Sequence, residues 1–121
     1  MLKLPFEKLL VWQKAMDFAE LVYSITKSFP SDERFGLTAQ LRRAAVSVPS
    51  NIAEGSQRST PKEFRNFLLI SKGSIAEVET QLMLSLRLQF ANEELTQRAI
   101  DLGNELQKML YVFSEKLTTD R

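Results

Sequence analysis

The stretch that decides the fold is residues 60–95, TPKEFRNFLLISKGSIAEVETQLMLSLRLQFANEEL. From residue 64 to residue 86 its apolar residues recur every three or four positions, which is the period of one face of an α-helix. At its start, Thr60 suits the N-cap, Pro61 suits the first helical position and Glu63 completes a capping box. The stretch therefore predicts a long third helix from residue 60 to about residue 89.

A fourth helix follows almost at once. Asn92 is placed to cap it, and Glu93 and Glu94 suit the positive end of its dipole. Only two or three residues around Ala91 separate it from the third helix, so the two are expected to fold back antiparallel. The apolar face of the fourth helix consists of Leu95, Ala99, Leu102, Leu106, Met109, Phe113 and Leu117.

Two more helices are predicted upstream, one ending before Pro30 and one ending near Gly55 as a C′ glycine. The face of the first consists of Trp12, Ala15, Met16, Ala19, Val22, Tyr23 and Thr26. The face of the second consists of Leu37, Leu41, Ala44, Ala45, Val48 and Ile52. No segment shows strand alternation, and all connections are short. The predicted fold is all-α: an antiparallel up-down-up-down four-helix bundle, one domain over residues 1–121.

Pro49 lies inside the predicted second helix, where it removes a backbone donor and clashes with the preceding turn. We expect a kink near Pro49. The alternative is a break, after which Ser50 or Asn51 caps a short fifth helix. Asn51 is interpreted as a residue that satisfies backbone groups freed by the proline.

Some apolar residues exceed what one bundle needs. The first helix has a second stripe, and the third helix has residues off its main stripe: Val11, Phe18, Val22, Ile25 and Phe29 on the first, and Leu69, Ile70, Leu84 and Leu88 on the third. A helix that is apolar on several sides is deeply buried or faces a partner. We predict self-association through an interface containing Val11, Phe18 and Ile25; the alternative is scattered apolar surface residues.

The composition argues against an enzyme. The chain has no His and no Cys, which excludes Ser–His and Cys–His nucleophiles, ordinary zinc sites and His-based acid–base catalysis. Its four glycines are isolated, so no phosphate loop is present. We expect no enzymatic activity, no cofactor and no metal site.

The compartment is also suggested by the sequence. No stretch has the ~18 uncharged apolar residues that span a bilayer. The first eight residues are interrupted by charges and lack the apolar core of a signal peptide. We expect a soluble cytoplasmic protein with no membrane partner.

The net charge of +1 hides an uneven distribution. Residues 34–75 carry seven basic and two acidic residues, whereas residues 76–121 carry five basic and eight acidic ones. Around the turn between the second and third helices, basic side chains and a helix N-terminus form a candidate phosphate site for RNA or DNA. Its residues are Arg58, Lys62 and Arg65, with Lys72 further along.

Other charged residues suggest a structural role. Arg42 and Arg43 lie within two turns of Pro49, and Glu54 and Glu79 are candidate ion-pair partners for them across helices. Whether Arg42 and Arg43 are paired inside the bundle or exposed for binding stays open from the sequence.

Several short runs together resemble one family. They are Val11-Trp12-Gln13-Lys14-Ala15, Phe29-Pro30, Glu33, Phe35-Gly36-Leu37, Gln40-Leu41-Arg42-Arg43-Ala44, Ser47, Asn51-Ile52-Ala53-Glu54-Gly55, Phe64, Phe67-Leu68, Gly73-Ser74, Glu77 and Glu79. Over roughly residues 8–115, the chain resembles the four-helix bundle proteins encoded by intervening sequences inside bacterial 23S ribosomal RNA genes. The block at residues 51–55 is the most specific part of the match.

The resemblance implies a closed homopentamer of antiparallel bundles. It also implies kinship with the accessory variability protein of diversity-generating retroelements, which binds nucleic acid and a reverse transcriptase. Two functions follow as hypotheses. The chain is an oligomeric scaffold that associates with RNA or DNA, or it is a scaffold for protein partners, such as a reverse transcriptase, with no nucleic-acid binding.

Overall fold

A computed structural model describes residues 5–119 and shows four α-helices in that range. They are α1 (Leu10–Thr26), α2 (Leu37–Ser56), α3 (Pro61–Arg87) and α4 (Glu93–Thr119). Short 3₁₀ turns at Pro5–Lys8 and Ser31–Glu33 precede α1 and α2. The all-α bundle predicted from the sequence is confirmed. The predicted domain also includes residues 1–4 and 120–121, which lie outside the described residues.

Two of the predicted helix starts have the expected caps. Thr60 Oγ1 accepts a hydrogen bond from the Glu63 backbone N–H at 3.1 Å, and Asn92 Oδ1 accepts one from the Leu95 N–H at 2.8 Å. Gly55 does not end α2 as a C′ glycine. It lies inside the helix, and a Cβ added there would stand 2.6 Å from the Phe67 Cβ, so Gly55 lets α3 approach closely.

Contacts between neighbouring helices show their relative direction. As residue numbers rise along α2, the residue numbers of the contacted side chains on α3 fall. The contacts are Gln40 with Gln81, Ser47 with Ser74, and Val48 with Ser71. The same holds from α3 to α4, where Lys72 meets Gln107 and Glu79 meets Gly103. Partner numbers also fall from α1 to α4, where Lys14 meets Glu105 and Phe18 meets Gly103. A falling partner number means that the two helices of each pair run in opposite directions.

Helix α2 continues through Pro49 without interruption from Leu37 to Ser56. The alternative of a break followed by a fifth helix is therefore wrong, whereas the predicted kink stays a prediction. Two side chains support the backbone here: Asn51 Nδ2 donates to the Ser47 carbonyl at 2.8 Å, and Ser71 Oγ on α3 donates to the Val48 carbonyl at 2.9 Å. The carbonyl that loses its helical donor at Pro49 is that of Ala45, whereas Asn51 bonds to Ser47, so the role predicted for Asn51 stays a prediction.

The core contains one apolar face from each helix. Its largest fully buried side chains include Phe18, Ile25, Leu41, Ile52, Leu68, Ile75, Leu82, Leu106 and Leu110. Burying each of them removes apolar surface from water and contributes about 1.5–3 kcal/mol before the entropy of ordering is counted. None of the helices in the described range is long and apolar enough to cross a membrane.

The buried face of α1 differs from the sequence prediction. Val11, Phe18 and Ile25 are 6%, 0% and 1% exposed, so they fill the protomer's own core, and their assignment to an oligomer interface is wrong. Met16 and Tyr23, predicted as core, are 40% and 41% exposed. The two stripes adjoin on α1, and the neighbouring helices decide between them. Gly103 on α4 leaves room for the Phe18 ring, because a Cβ added at Gly103 would stand 3.2 Å from Phe18 Cε1.

Candidate interaction surfaces

Arg58 lies just after α2 and is held against the protomer. Its Nη2 forms an ion pair with Glu54 Oε2 at 2.6 Å, and its guanidinium lies 4.8 Å from the centre of the Phe67 ring. Phe67 packs beside Gly55 of α2, so Arg58 covers the side of α3 that faces α2. The charge of Arg58 is therefore already partnered.

Lys72 lies on the other side of α3. Its Nζ is 5.0 Å from the centre of the Tyr111 ring, and its carbonyl accepts a hydrogen bond from Gln107 Nε2 at 2.7 Å, both on α4. Lys72 follows Phe67 by five residues, which at about 100° per residue is a rotation of about 140° around the helix. The structure therefore separates Lys72 from Arg58, and the four predicted phosphate-site residues do not form one cluster.

Arg65 precedes Lys72 by seven residues, which is two helical turns, so these two share the side of α3 that faces α4. Lys62 is exposed three residues before Arg65, a rotation of about 60° further from α4, so it lies at the outer edge of this group. The Arg65 Nε is buried and has no hydrogen-bond partner within residues 5–119. We call Lys62, Arg65, Lys72 and the exposed Tyr111 the α3–α4 basic patch. Tyr111 was missed from the sequence, because its contact with Lys72 joins two helices and its exposure is seen only in the structure.

The predicted ion pairs across helices are absent from the described part of the chain. Arg42 Nε donates to Thr26 Oγ1 at 2.9 Å, and its guanidinium lies 4.5 Å from the centre of the Tyr23 ring. Arg43 is exposed and has no ion pair within residues 5–119. The pairing of Arg42 and Arg43 with Glu54 is wrong, because the helix turns Arg42 towards α1 and Glu54 is bound along its own chain by Arg58.

Glu79 also lacks the predicted arginine partner. It is half-buried on α3, and its carboxyl carbon lies over Gly103 of α4, 3.5 Å from where a Cβ would stand. Within residues 5–119 it makes no ion pair. Burial raises the pKa of this carboxyl above its usual value of 4.5, because the charged form loses solvation.

A wide apolar groove runs between α1 and α2 on the outside of the bundle. Its volume is about 700 Å³. It is lined by Trp12, Met16, Ala19, Glu20, Tyr23, Ser24, Lys27, Val46, Pro49, Ser50 and Ala53, which we call the α1–α2 groove. Three of the large apolar side chains that one protomer leaves exposed lie here, namely Met16, Tyr23 and the 43%-exposed Val46.

A second apolar surface is the outer face of α3. Leu69, Ile70, Met83, Leu84 and Leu88 are all exposed along it, as the positions of four of them off the core stripe suggested; we call this face the α3 ridge. Gly73 lies near its middle, and a Cβ added there would meet no atom within 4 Å. A glycine inside a helix costs about 1 kcal/mol relative to alanine. No packing inside the described part of the protomer accounts for this residue.

No cluster of three or more His, Cys, Asp or Glu side chains in the described part of the chain is arranged to hold a metal ion. The carboxylates of α3 and α4 are instead distributed along the bundle. The chemistry that these surfaces offer is therefore apolar contact, cation–π contact and electrostatic attraction.

Comparison with known proteins gives one family. A family model described as 23S rRNA-intervening sequence protein matches residues 7–112. A solved structure of a protein with unknown function from the S23 ribosomal protein family of Bacteroides thetaiotaomicron has the same fold, with a TM-score of 0.79 and 24% identity. The similarity covers 87% of this chain and 98% of that one, and at this identity it shows the fold alone. No curated protein matches.

Proposed function

The chain belongs to the 23S rRNA-intervening sequence protein family, and from this membership and its exposed apolar surfaces we propose that it is a non-catalytic scaffold that works as a homo-oligomer. The observation that carries the proposal is the α1–α2 groove. Contiguous apolar surface rimmed by polar residues is typical of protein interfaces. Aromatic residues and Met, which line this groove, are enriched in their buried centres.

The oligomer proposed here is a closed ring. A ring needs a heterologous contact, in which two different surfaces of the same chain meet. The α1–α2 groove and the α3 ridge are two different apolar surfaces that could meet in this way. A pentamer is the order implied by the family resemblance, and the proposed compartment is the cytoplasm, where ribosomal RNA is found.

The second part of the proposal is association with RNA or DNA. It is favoured by the α3–α4 basic patch, where a lysine lies over an exposed tyrosine ring. Cationic side chains beside an aromatic ring suit single-stranded nucleic acid, because the cations attract phosphates and the ring stacks on bases. Without such binding, the oligomer would serve as a scaffold for protein partners alone, a reverse transcriptase among them.

The oligomer is tested through Trp12, the chain's single tryptophan, which lines the groove. If a second copy covers the groove, Trp12 emission should shift to the blue as protein concentration rises, and light scattering should give a mass several times 13.9 kDa. Met16→Asp should abolish both effects, because it places a charge in the contact. Asn104→Asp on α4, at an exposed residue outside groove and ridge, is the control and should leave both unchanged.

A wild-type mass of one chain at ~100 µM, a concentration at which even a weak contact with a micromolar dissociation constant is populated, would refute the scaffold proposal. Variants must first show wild-type helical circular dichroism, so that loss of assembly is separated from loss of fold.

A further inference from the structure

Another apolar groove lies between the start of α1 and the last turns of α4. Its volume is about 540 Å³. It is lined by Leu9, Leu10, Val11, Lys108, Met109, Val112, Phe113 and Lys116, which we call the α1–α4 groove. Leu10 and Val112, one from each helix, are 56% and 53% exposed. Contiguous apolar surface left in water is typical of an interaction site.

An ion pair joins the two helices at one end of the groove. Lys14 Nζ on α1 lies 2.9 Å from Glu105 Oε2 on α4. Lys14 is one turn beyond Leu10, and Glu105 is one turn before Lys108, so the pair lies next to the groove lining. From there the groove runs towards the end of α4. Lys108 and Lys116 are eight residues apart, which is about 12 Å along that helix.

The charged side chains that line the groove are both basic, namely Lys108 and Lys116. Lys108 is exposed and makes no ion pair within the described part of the chain. The neighbouring acids do not line the groove: Glu105 is paired with Lys14, and Glu115 is turned about 100° around α4 from Lys116. The groove is therefore apolar with a positive edge, and it suits an occupant that is apolar with negative charges.

The shape of the groove favours a helix over a small molecule. A small-molecule site usually encloses most of its ligand. This groove is open, since Leu10 and Val112 stay more than half exposed. An amphipathic helix buries only its apolar side in a groove and keeps its polar side in water. Two acidic residues of such a helix, eight positions apart, are also about 12 Å apart, which matches the spacing of Lys108 and Lys116.

We propose that the α1–α4 groove binds an acidic amphipathic helix of a partner protein. The apolar side of that helix packs on Leu10 and Val112, and its carboxylates face Lys108 and Lys116. Apolar burial supplies the affinity, whereas the lysines select acidic helices over basic ones. This inference goes beyond the proposed function, because the groove is complete within one copy and needs neither a ring nor RNA.

The α1–α4 groove and the α1–α2 groove lie on opposite flanks of α1. Leu10 lines the first and Trp12 lines the second. Two residues at about 100° each place these side chains about 160° apart around the helix. A second copy that covers the α1–α2 groove therefore leaves the far flank of α1 accessible, and the same chain can assemble and bind a partner helix.

The test uses a synthetic probe, a fluorescein-labelled, alanine-based helix of ~16 residues, long enough to be helical. Leucines form one face of it, and two glutamates eight positions apart flank that face. Fluorescence anisotropy should show saturable binding to the wild-type chain. A probe with lysines in place of the glutamates should bind several-fold more weakly, because its charges face Lys108 and Lys116. A probe with serines in place of the leucines should not bind.

Variants of the groove test its two contributions separately. Val112→Asp places a charge among the apolar contacts and should abolish binding of the acidic probe. Lys108→Glu should weaken the acidic probe several-fold and strengthen the lysine probe. Leu84→Asp, at an exposed leucine of α3, and Arg43→Glu, at an exposed arginine of α2, make the same kinds of change elsewhere. Both controls should leave the dissociation constant of the acidic probe unchanged.

Several outcomes would overturn the inference. They are no binding of the acidic probe at ~500 µM wild-type protein, equal affinity for the glutamate and lysine probes, and equal losses in Val112→Asp and Leu84→Asp. If Val112→Asp lowers the mass of the assembly in light scattering, a second copy occupies the groove instead. If a long-chain carboxylate binds there and the acidic probe does not, the occupant is a small amphiphile. Either result also overturns the inference.

The proposed function can fail separately. A wild-type chain that is monomeric yet binds the acidic probe refutes the oligomeric scaffold and leaves the α1–α4 groove as a binding site. A wild-type oligomer that does not bind the probe keeps the scaffold and overturns the inference. Circular dichroism of each variant should match the wild type before titration, so that lost binding is separated from lost fold.

Discussion

Glu79 shows what a single unpaired carboxyl does in this bundle. Since burial raises its pKa above 4.5, the folded protein at neutral pH holds the carboxylate at a desolvation cost that the unfolded chain avoids. That cost disappears as pH falls below 4.5, where the group is protonated in both states. Glu79→Gln should therefore increase the free energy of unfolding at pH 7, and the gain should fade as pH is lowered through the raised pKa.

Urea unfolding of Glu79→Gln and wild type across pH 3–8 measures this difference. Glu115→Gln is the matched control, because Glu115 is an exposed glutamate on α4 and should give a much flatter difference. If Glu79→Gln makes the protein less stable than wild type at pH 7, the carboxylate has a favourable role and the prediction is wrong.

At the scale of the element, α3 depends on its cap. The Thr60 hydroxyl accepts from the Glu63 backbone N–H and donates to Glu63 Oε2 at 3.3 Å. Thr60→Ala removes this partner from an exposed helix start and should lower the free energy of unfolding by about 1 kcal/mol. Thr60→Ser keeps the hydroxyl and should recover most of the loss. Thr80→Ala, in the middle of α3, is the control for a Thr→Ala change away from the helix start. If it lowers the free energy of unfolding as much as Thr60→Ala does, the cap is not the cause of the loss at Thr60.

Local signals explain which elements were predictable. The caps at Thr60 and Asn92 depend on neighbours three residues away, so the sequence predicts both. The buried face of α1 depends on helices far along the chain: Phe18 is core because α4 has a glycine opposite its ring. The spacing of apolar residues along the sequence identifies a broad apolar arc around the helix. Only packing against the other helices decides which edge of that arc is buried.

Contacts between distant helices also limit what the sequence can predict about the whole molecule. Arg58 and Lys72 belong to one basic stretch of sequence, yet the structure places them on opposite sides of α3. Charge counts along the chain predict a basic region and cannot tell which neighbouring helix each side chain faces. Tyr111 completes the patch from α4, a contact that no local pattern contains.

This division of the basic residues yields a final prediction. Lys62→Ala, Arg65→Ala and Lys72→Ala combined should weaken binding of a short single-stranded RNA at least tenfold at ~50 mM salt, because phosphate contacts are lost. Arg58→Ala, on the opposite side of α3 and already paired with an acid, should have little effect. Fluorescence anisotropy measures both, with DNA in parallel.

The affinity of the wild-type protein for RNA should fall steeply as salt rises. It should also fall when Leu84→Asp removes the avidity of a ring. Equal losses for both sets of variants would place the contact elsewhere, and no wild-type binding would leave the chain a scaffold for proteins.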